Sequence, residues 1–250
     1  TPDMREKANI DLLFKGLDTY ADVYLNDQKI LTTDNMFREW RIGIKSFLQE
    51  GDNALKIYFH SPIKMDILKW DTLPYQYEAS NDQSENGGIF DKKVSVFARK
   101  AGYHYGWDWG PRLVTSGIWR PVYVEAWDDA RIANVFIRQK EVNKKQASIM
   151  GEIEIDADKA IDKAQLSITD SITGKSLGVT IVVLKKGKNT VSIPFLIKNP
   201  RLWWSNGLGE AHLYSLRTDL TIQNKTIDSQ TEHTGLRSLK IIHKPDQDGH

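Results

Sequence analysis

This sequence predicts an all-β protein of two domains, the second a sandwich, and three observations carry that prediction. Apolar and polar residues alternate with a period of two over most of the chain, helical periodicity is scarce, and from residue 131 onward turn residues recur at short, even spacing.

Near the start, Val23 and Leu25 alternate just ahead of the turn pair Asn26-Asp27. Leu55, Ile57 and Phe59 alternate with Lys56, Tyr58 and His60, the pattern of a half-buried strand. Gly51-Asp52-Asn53 separates that strand from residues 46–50, one of two places where a one-turn helix is expected; the other is 159–163. Residues 61–112 differ. They hold Pro62, Pro74, Gly87-Gly88, Pro111 and scattered aromatics, with little alternation beyond a short run at 94–97. A long aromatic-rich irregular stretch inside a domain is usually functional. Regular strand signal returns at 118–127, and Asp128-Asp129-Ala130 reads as a polar hinge.

Beyond the hinge, strands are expected at about 132–138, 147–156, 164–170, 177–184, 190–197, 212–222 and 236–243. Polar turns fall between them at 171–174 and 185–189. Seven short strands at this spacing predict an immunoglobulin-like sandwich, here held by its core alone because the chain has no cysteine. The domains are therefore placed at 1–127 and 131–243.

Composition narrows the function. Hydrophobic content of 40% and charged content of 27% are those of a globular chain, and a net charge of +1 gives no electrostatic reason to expect nucleic acid or an anionic membrane. No apolar run approaches the roughly 20 residues of a membrane span. Without cysteine there is neither a disulfide nor a thiolate metal site, and His60, His104, His212, His233, His243 and His250 show no metal-ligand spacing. No metal or cofactor is expected. Eight Trp in 250 residues is the unusual figure. Indoles either fill a sandwich core or offer a flat apolar face to a half-polar ligand such as a sugar ring.

The densest cluster is Arg99-Lys100-Ala101-Gly102-Tyr103-His104-Tyr105-Gly106-Trp107-Asp108-Trp109-Gly110-Pro111-Arg112. An aspartate between two indoles could accept bonds from sugar hydroxyls while a ring face packs nearby, and such charge-assisted bonds are sensitive to hydroxyl orientation. The same residues also read as a turn whose Asp caps backbone amides and whose Trp side chains fill a core. Trp203-Trp204 favours packing, Asn224-Lys225-Thr226 is a lone sequon, and Glu152 and Glu154 lie on one solvated strand face.

The segment GWDWGPRL followed by SGIWRPV, within Ala101–Val122, resembles the hallmark of glycoside hydrolase family 2, and its GWDWGP form is most similar to the β-mannosidase branch. The resemblance extends to GLDTYADVYLND (16–27), NMF (35–37), EGDNALKIYFHSP (50–62), PRLWWSNGLGEAHLY (200–214) and TGLRSLKI (234–241). It implies a jelly-roll, galactose-binding-like sandwich, then the immunoglobulin-like one, then a C-terminal (β/α)8 barrel that carries the two catalytic glutamates of a retaining exo-β-mannosidase acting on terminal β-D-mannose. On that reading this chain has no catalytic residue, is inactive alone, and has the terminal mannose of a β-mannoside and the missing barrel as its partners. The resemblance also assigns substrate contact to Asp108 and Trp107, with Arg99, Lys100, Trp109 and Arg112 supporting the loop. Family members carry further residues ahead of the strand near Ile10, so the first sandwich is expected to lack its first strands and to have an open edge. The other readings are a stand-alone carbohydrate-binding module, a structural β tandem, or the same portion of an exo-β-glucosaminidase or another family 2 glycosidase. The absence of Cys and the Lys-rich loops lean toward a bacterial periplasmic or secreted source rather than a lysosomal one.

Overall fold

The computed structural model describes residues 2–245 and residue 247, so His250 lies outside the described residues. The chain is all-β and divides into two compact units between Ala126 and Trp127.

The first unit opens with a one-turn helix, α1 (Pro2–Arg5), then β1 (Asn9–Phe14), β2 (Leu17–Asp18), β3 (Tyr20–Leu25), β4 (Gln28–Asp34), β5 (Trp40–Gly43) and β6 (Leu55–Phe59). After helix α2 (Pro62–Thr72) and a long irregular stretch come β7 (Gly117–Ile118) and β8 (Val122–Trp127). Three-stranded sheets β5-β1-β8 and β4-β3-β6 form the sandwich, with β2-β7 as a two-stranded ribbon. Ile10, Leu12 and Phe14 of β1 meet Val23 and Leu25 of β3 in one core. Asn26 and Asp27 both take positive φ, 50° and 63°, which turns β3 tightly into β4.

This sandwich is open at one side. Leu55 on β6 and Val124 on β8 share the strand parity of the core-packed Ile57, Phe59, Val122 and Ala126, yet remain 44% and 49% exposed. Between them lies a cleft of ≈ 310 Å³, lined also by Ile10, Leu12, Leu25, Ile44 and Leu48.

One expectation for this unit is corrected. Pro62–Thr72 is an eleven-residue helix rather than irregular chain. Ser61 caps it by accepting from the Lys64 N–H at 3.4 Å, and Pro62 begins it, the position where a missing N–H costs nothing. In the short alternating run at 94–97, residues 95–97 form a 3-10 turn whose Ser95 N–H donates to the buried Asp82 carboxylate.

The second unit holds β9 (Ala130–Val142), β10 (Gln146–Ala157), β11 (Ile161–Asp170), β12 (Ser176–Leu184), β13 (Gly187–Lys198), β14 (Tyr214–Ile222) and β15 (Lys225–Thr234). Sheet β13-β10-β9 packs against sheet β12-β11-β14-β15, the three-plus-four arrangement of an immunoglobulin-like sandwich. Ile149, Ile153 and Ile155 of β10 face Leu166 and Ile168 of β11 and Leu216 and Leu220 of β14. Each such side chain contributes about 1.5–3 kcal/mol on burial. Glu152 points outward and meets Arg138 through two bonds of 2.7 and 2.9 Å.

Here too the expectations need correcting. Residues 159–163 form no helix: 159 and 160 lie in the link between β10 and β11, and 161–163 already belong to β11. The seventh strand is Lys225–Thr234, whereas 236–243 joins no sheet. β15 is an edge strand whose side chains are mostly polar, so it carries little apolar alternation to read.

Candidate functional site

The Arg99–Arg112 run holds a 3-10 turn at 102–105 and then a bend at 108–110, with no strand. Trp107 N–H donates to the Gly110 carbonyl at 3.0 Å, and Gly110 N–H returns a bond to the Trp107 carbonyl at 3.2 Å. This closes a four-residue loop with Asp108 and Trp109 at its tip. Asp108 is exposed, and among the described residues nothing hydrogen-bonds its carboxylate. Trp109 is 83% exposed and stands edge-on to Trp107, ring centroids 5.6 Å apart and 65° between planes. Neither the backbone-capping carboxylate nor the core-filling indole that a plain turn would have is found at 108 or 109.

What lies beneath the tip is buried and polar. Gly106 takes a φ of +113°, closed to most residues, and a Cβ there would come within 2.7 Å of the Gln83 side chain. Gln83 N–H donates to the Tyr105 carbonyl at 3.0 Å, and its side-chain amide donates to the Trp107 carbonyl at 2.6 Å. The adjacent Asp82 carboxylate accepts from Ser95 N–H at 2.9 Å and faces Arg112 Nε at 3.5 Å. Both side chains of that pair are sealed, 0% and 4% exposed. Tyr105 is fully buried under the Arg112 guanidinium, and burial pushes its phenol well above the usual tyrosine range.

The remaining loop residues take different parts. Lys100 is buried and pairs with Asp18 of β2, while its ammonium also donates to the Thr115 carbonyl at 2.8 Å. Burial draws that ammonium below its ordinary pKa, and the bond to Asp18 opposes the shift. Arg99 is exposed and contributes backbone: its carbonyl accepts from Met36 N–H at 3.0 Å. The Trp119 indole lies over Gly16, where a Cβ would be 2.5 Å away, and donates to the Met36 carbonyl at 2.8 Å. Residues 16–18, 36, 99–100 and 119, distant in sequence, therefore meet beside the root of the turn.

Asp82, Gln83 and Asp18 are site residues that sequence reasoning passed over. Asp18 had no distinguishing signal, since the stretch from Leu17 to Leu25 carries a second carboxylate, Asp22. Gln83 had none, since its role is a bond to a carbonyl 24 positions away. Among the described residues no group of three or more His, Asp or Glu converges as metal ligands would.

The exposed carboxylate between indoles can accept from ligand hydroxyls, and the indole faces suit C–H-rich ring surfaces. The jelly-roll sandwich bearing that turn and the immunoglobulin-like sandwich after it make a tandem pair of β domains. Residues 1–120 match the family described as glycosyl hydrolase 2 galactose-binding domain-like, and residues 130–237 match glycosyl hydrolases family 2. The chain belongs to glycoside hydrolase family 2.

Among its relatives, β-mannosidase B of Aspergillus oryzae is 33% identical over 99% of this chain, and that of Aspergillus clavatus is 34% identical. The chain spans about 28% of the length of these relatives. The crystal structure of a β-D-mannosidase from Dictyoglomus thermophilum superposes over 100% of this chain and 30% of that one, with a TM-score of 0.85 and 33% identity. An exo-chitosanase from Amycolatopsis orientalis shares the fold at a TM-score of 0.68 and 18% identity.

Proposed function

We propose that these two domains are the non-catalytic β portion of a retaining exo-β-mannosidase, and that Asp108 receives hydroxyls of the terminal mannose. The observation that carries this reading is the Asp108 carboxylate, exposed at the tip of a braced turn and flanked by two indoles. The β-mannosidase relatives at 33–34% identity support the choice of sugar. Hydrolysis with retention needs two carboxylates about 5–5.5 Å apart, which in this reading come from a (β/α)8 barrel beyond the two sandwiches. Mannose has an axial 2-hydroxyl, and a site that pairs with oriented hydroxyls discriminates such epimers.

The test compares the full-length protein with this 250-residue chain on a chromogenic β-mannoside. Turnover is expected only from the full-length protein. There, Asp108→Ala is expected to lower kcat/KM by the equivalent of about 2–4 kcal/mol. An unchanged kcat/KM removes Asp108 from the site. Preference for a β-glucosaminide over the β-mannoside reassigns the substrate.

A further inference from the structure

We infer that Gln83 is the positioning residue that sets where the Asp108 carboxylate stands; this rests on the reading of Asp108 as a substrate contact. The two bonds between Trp107 and Gly110 close the turn on itself but do not fix its place on the domain. No sheet ladder does so either, since residues 99–116 contain no strand. The root of the loop is anchored by Lys100 on Asp18 and by the Arg99 carbonyl on Met36 N–H; nearer the tip, two consecutive residues, Asp82 and Gln83, hold opposite limbs of the loop.

Gln83 grips the entering limb at two points. Its backbone N–H bonds the Tyr105 carbonyl at 3.0 Å and its side-chain amide bonds the Trp107 carbonyl at 2.6 Å, one on each side of Gly106. The side chain passes through the space that any residue other than glycine would need at 106. Its Oε1 meanwhile faces Asn86 Nδ2 at 3.4 Å, so the amide orientation that donates to Trp107 is also the one its neighbour favours. Asp82 holds the leaving limb through Arg112 and is itself fixed by Ser95 N–H. The Trp107 carbonyl thus accepts twice, from Gly110 within the turn and from Gln83 below it. Asp108 is the next residue.

Removing the side-chain bond should let the tip shift while the body of the domain stays folded. Displacements of about 1 Å at a reacting centre can cost about 100-fold in rate. A residue that works only through Asp108 has a further property: its loss is masked once Asp108 is gone.

The experiment is a double-mutant cycle in the full-length enzyme, with kcat and KM on a β-mannoside and thermal midpoints for every variant. Gln83→Leu, close in volume but without the donor, is expected to lower kcat/KM by about 10- to 100-fold, with its thermal midpoint within a few degrees of the parent. In the Asp108→Ala background the same change is expected to cost less than about twofold. Equal losses in both backgrounds, or none in the parent, overturn the role of Gln83 while leaving Asp108 in place. No effect of Asp108→Ala alone instead brings down the substrate-contact reading and this inference with it.

Discussion

The ammonium of Lys100 and the carboxylate of Asp18 pair inside the first domain, where their side chains are 0% and 6% exposed. The pair joins the short strand β2 to the base of the Asp108 loop, and Lys100 extends the link to the Thr115 carbonyl at 2.8 Å. Breaking one side of a buried pair leaves an uncompensated charge, which costs more than the pair itself is worth.

Lys100→Met is therefore expected to destabilise the protein by about 3–5 kcal/mol, read from urea unfolding. Asp18→Asn combined with Lys100→Met should recover part of that loss, because no lone charge then stays buried. A single-variant loss below about 1 kcal/mol would show that Asp18 is solvated.

Asp22 makes the first domain sensitive to acid. Lys29 at 2.6 Å holds its carboxyl down at about 2 against an ordinary 3.8, with His60 at 3.0 Å and Thr32 at 2.8 Å adding to the effect and partial burial opposing it. The folded carboxyl is the more acidic one, so the unfolded chain binds the extra proton between these values. The stabilisation is complete above about pH 4 and disappears as pH falls toward 2. Screening limits it to about 1 kcal/mol. Urea midpoints at pH 5 and at pH 2.5 should show the parent losing about that much more than Asp22→Asn. Parallel losses in the two proteins would remove Asp22 from the account.

How far the sequence could be read depended on whether a segment had one apolar face. β10 alternates through its length and β11 from Ala164 to Ile168, because one face meets the core and the other meets water, and both are legible in outline. Helix α2 was not, because Asp66 interrupts its buried side: that carboxylate accepts from Tyr20 and from Lys69, each at 2.7 Å, inside the domain. The Ser61-Pro62 start was the signal available there. At the site, the Trp-Asp-Trp tip stood out by residue type. Its supports did not, since Asp82, Gln83 and Asp18 act through contacts between residues 24 to 82 positions apart.

Gly106 and Gly110 flank the tip but are not equivalent. Gly106 has a φ of +113°, and a methyl there would strike Gln83 at 2.7 Å; a methyl on Gly110 would rest 3.6 Å from the Trp107 Cβ, an ordinary contact. Gly106→Ala should cost about 1–3 kcal/mol and, on the proposed function, lower kcat/KM of the full-length protein on a β-mannoside, while Gly110→Ala should leave both nearly unchanged. Thermal midpoints and kcat/KM for the two variants decide it. Equal behaviour would mean that neither the +113° φ at Gly106 nor the contact with Gln83 constrains the tip.

Tyr105 offers the opposite kind of test, a polar group whose removal should do no harm. Its ring is fully buried, its hydroxyl is without a hydrogen-bond partner among the described residues, and the Arg112 guanidinium lies 5.6 Å from the ring centroid. The bond that anchors the turn here uses the Tyr105 carbonyl, which Tyr105→Phe leaves intact. Deleting an unsatisfied buried hydroxyl relieves a desolvation cost without breaking a bond, so Tyr105→Phe should be neutral or stabilising by up to about 1 kcal/mol. Tyr105→Leu removes the ring as well and with it the guanidinium contact, and should destabilise by about 1–3 kcal/mol. Urea unfolding of the two variants separates hydroxyl from ring. A loss above about 1 kcal/mol in Tyr105→Phe would require a partner for the hydroxyl, and the nearby orphaned oxygen of Asp66 and terminal nitrogen of Arg112 are the groups to examine by substitution next.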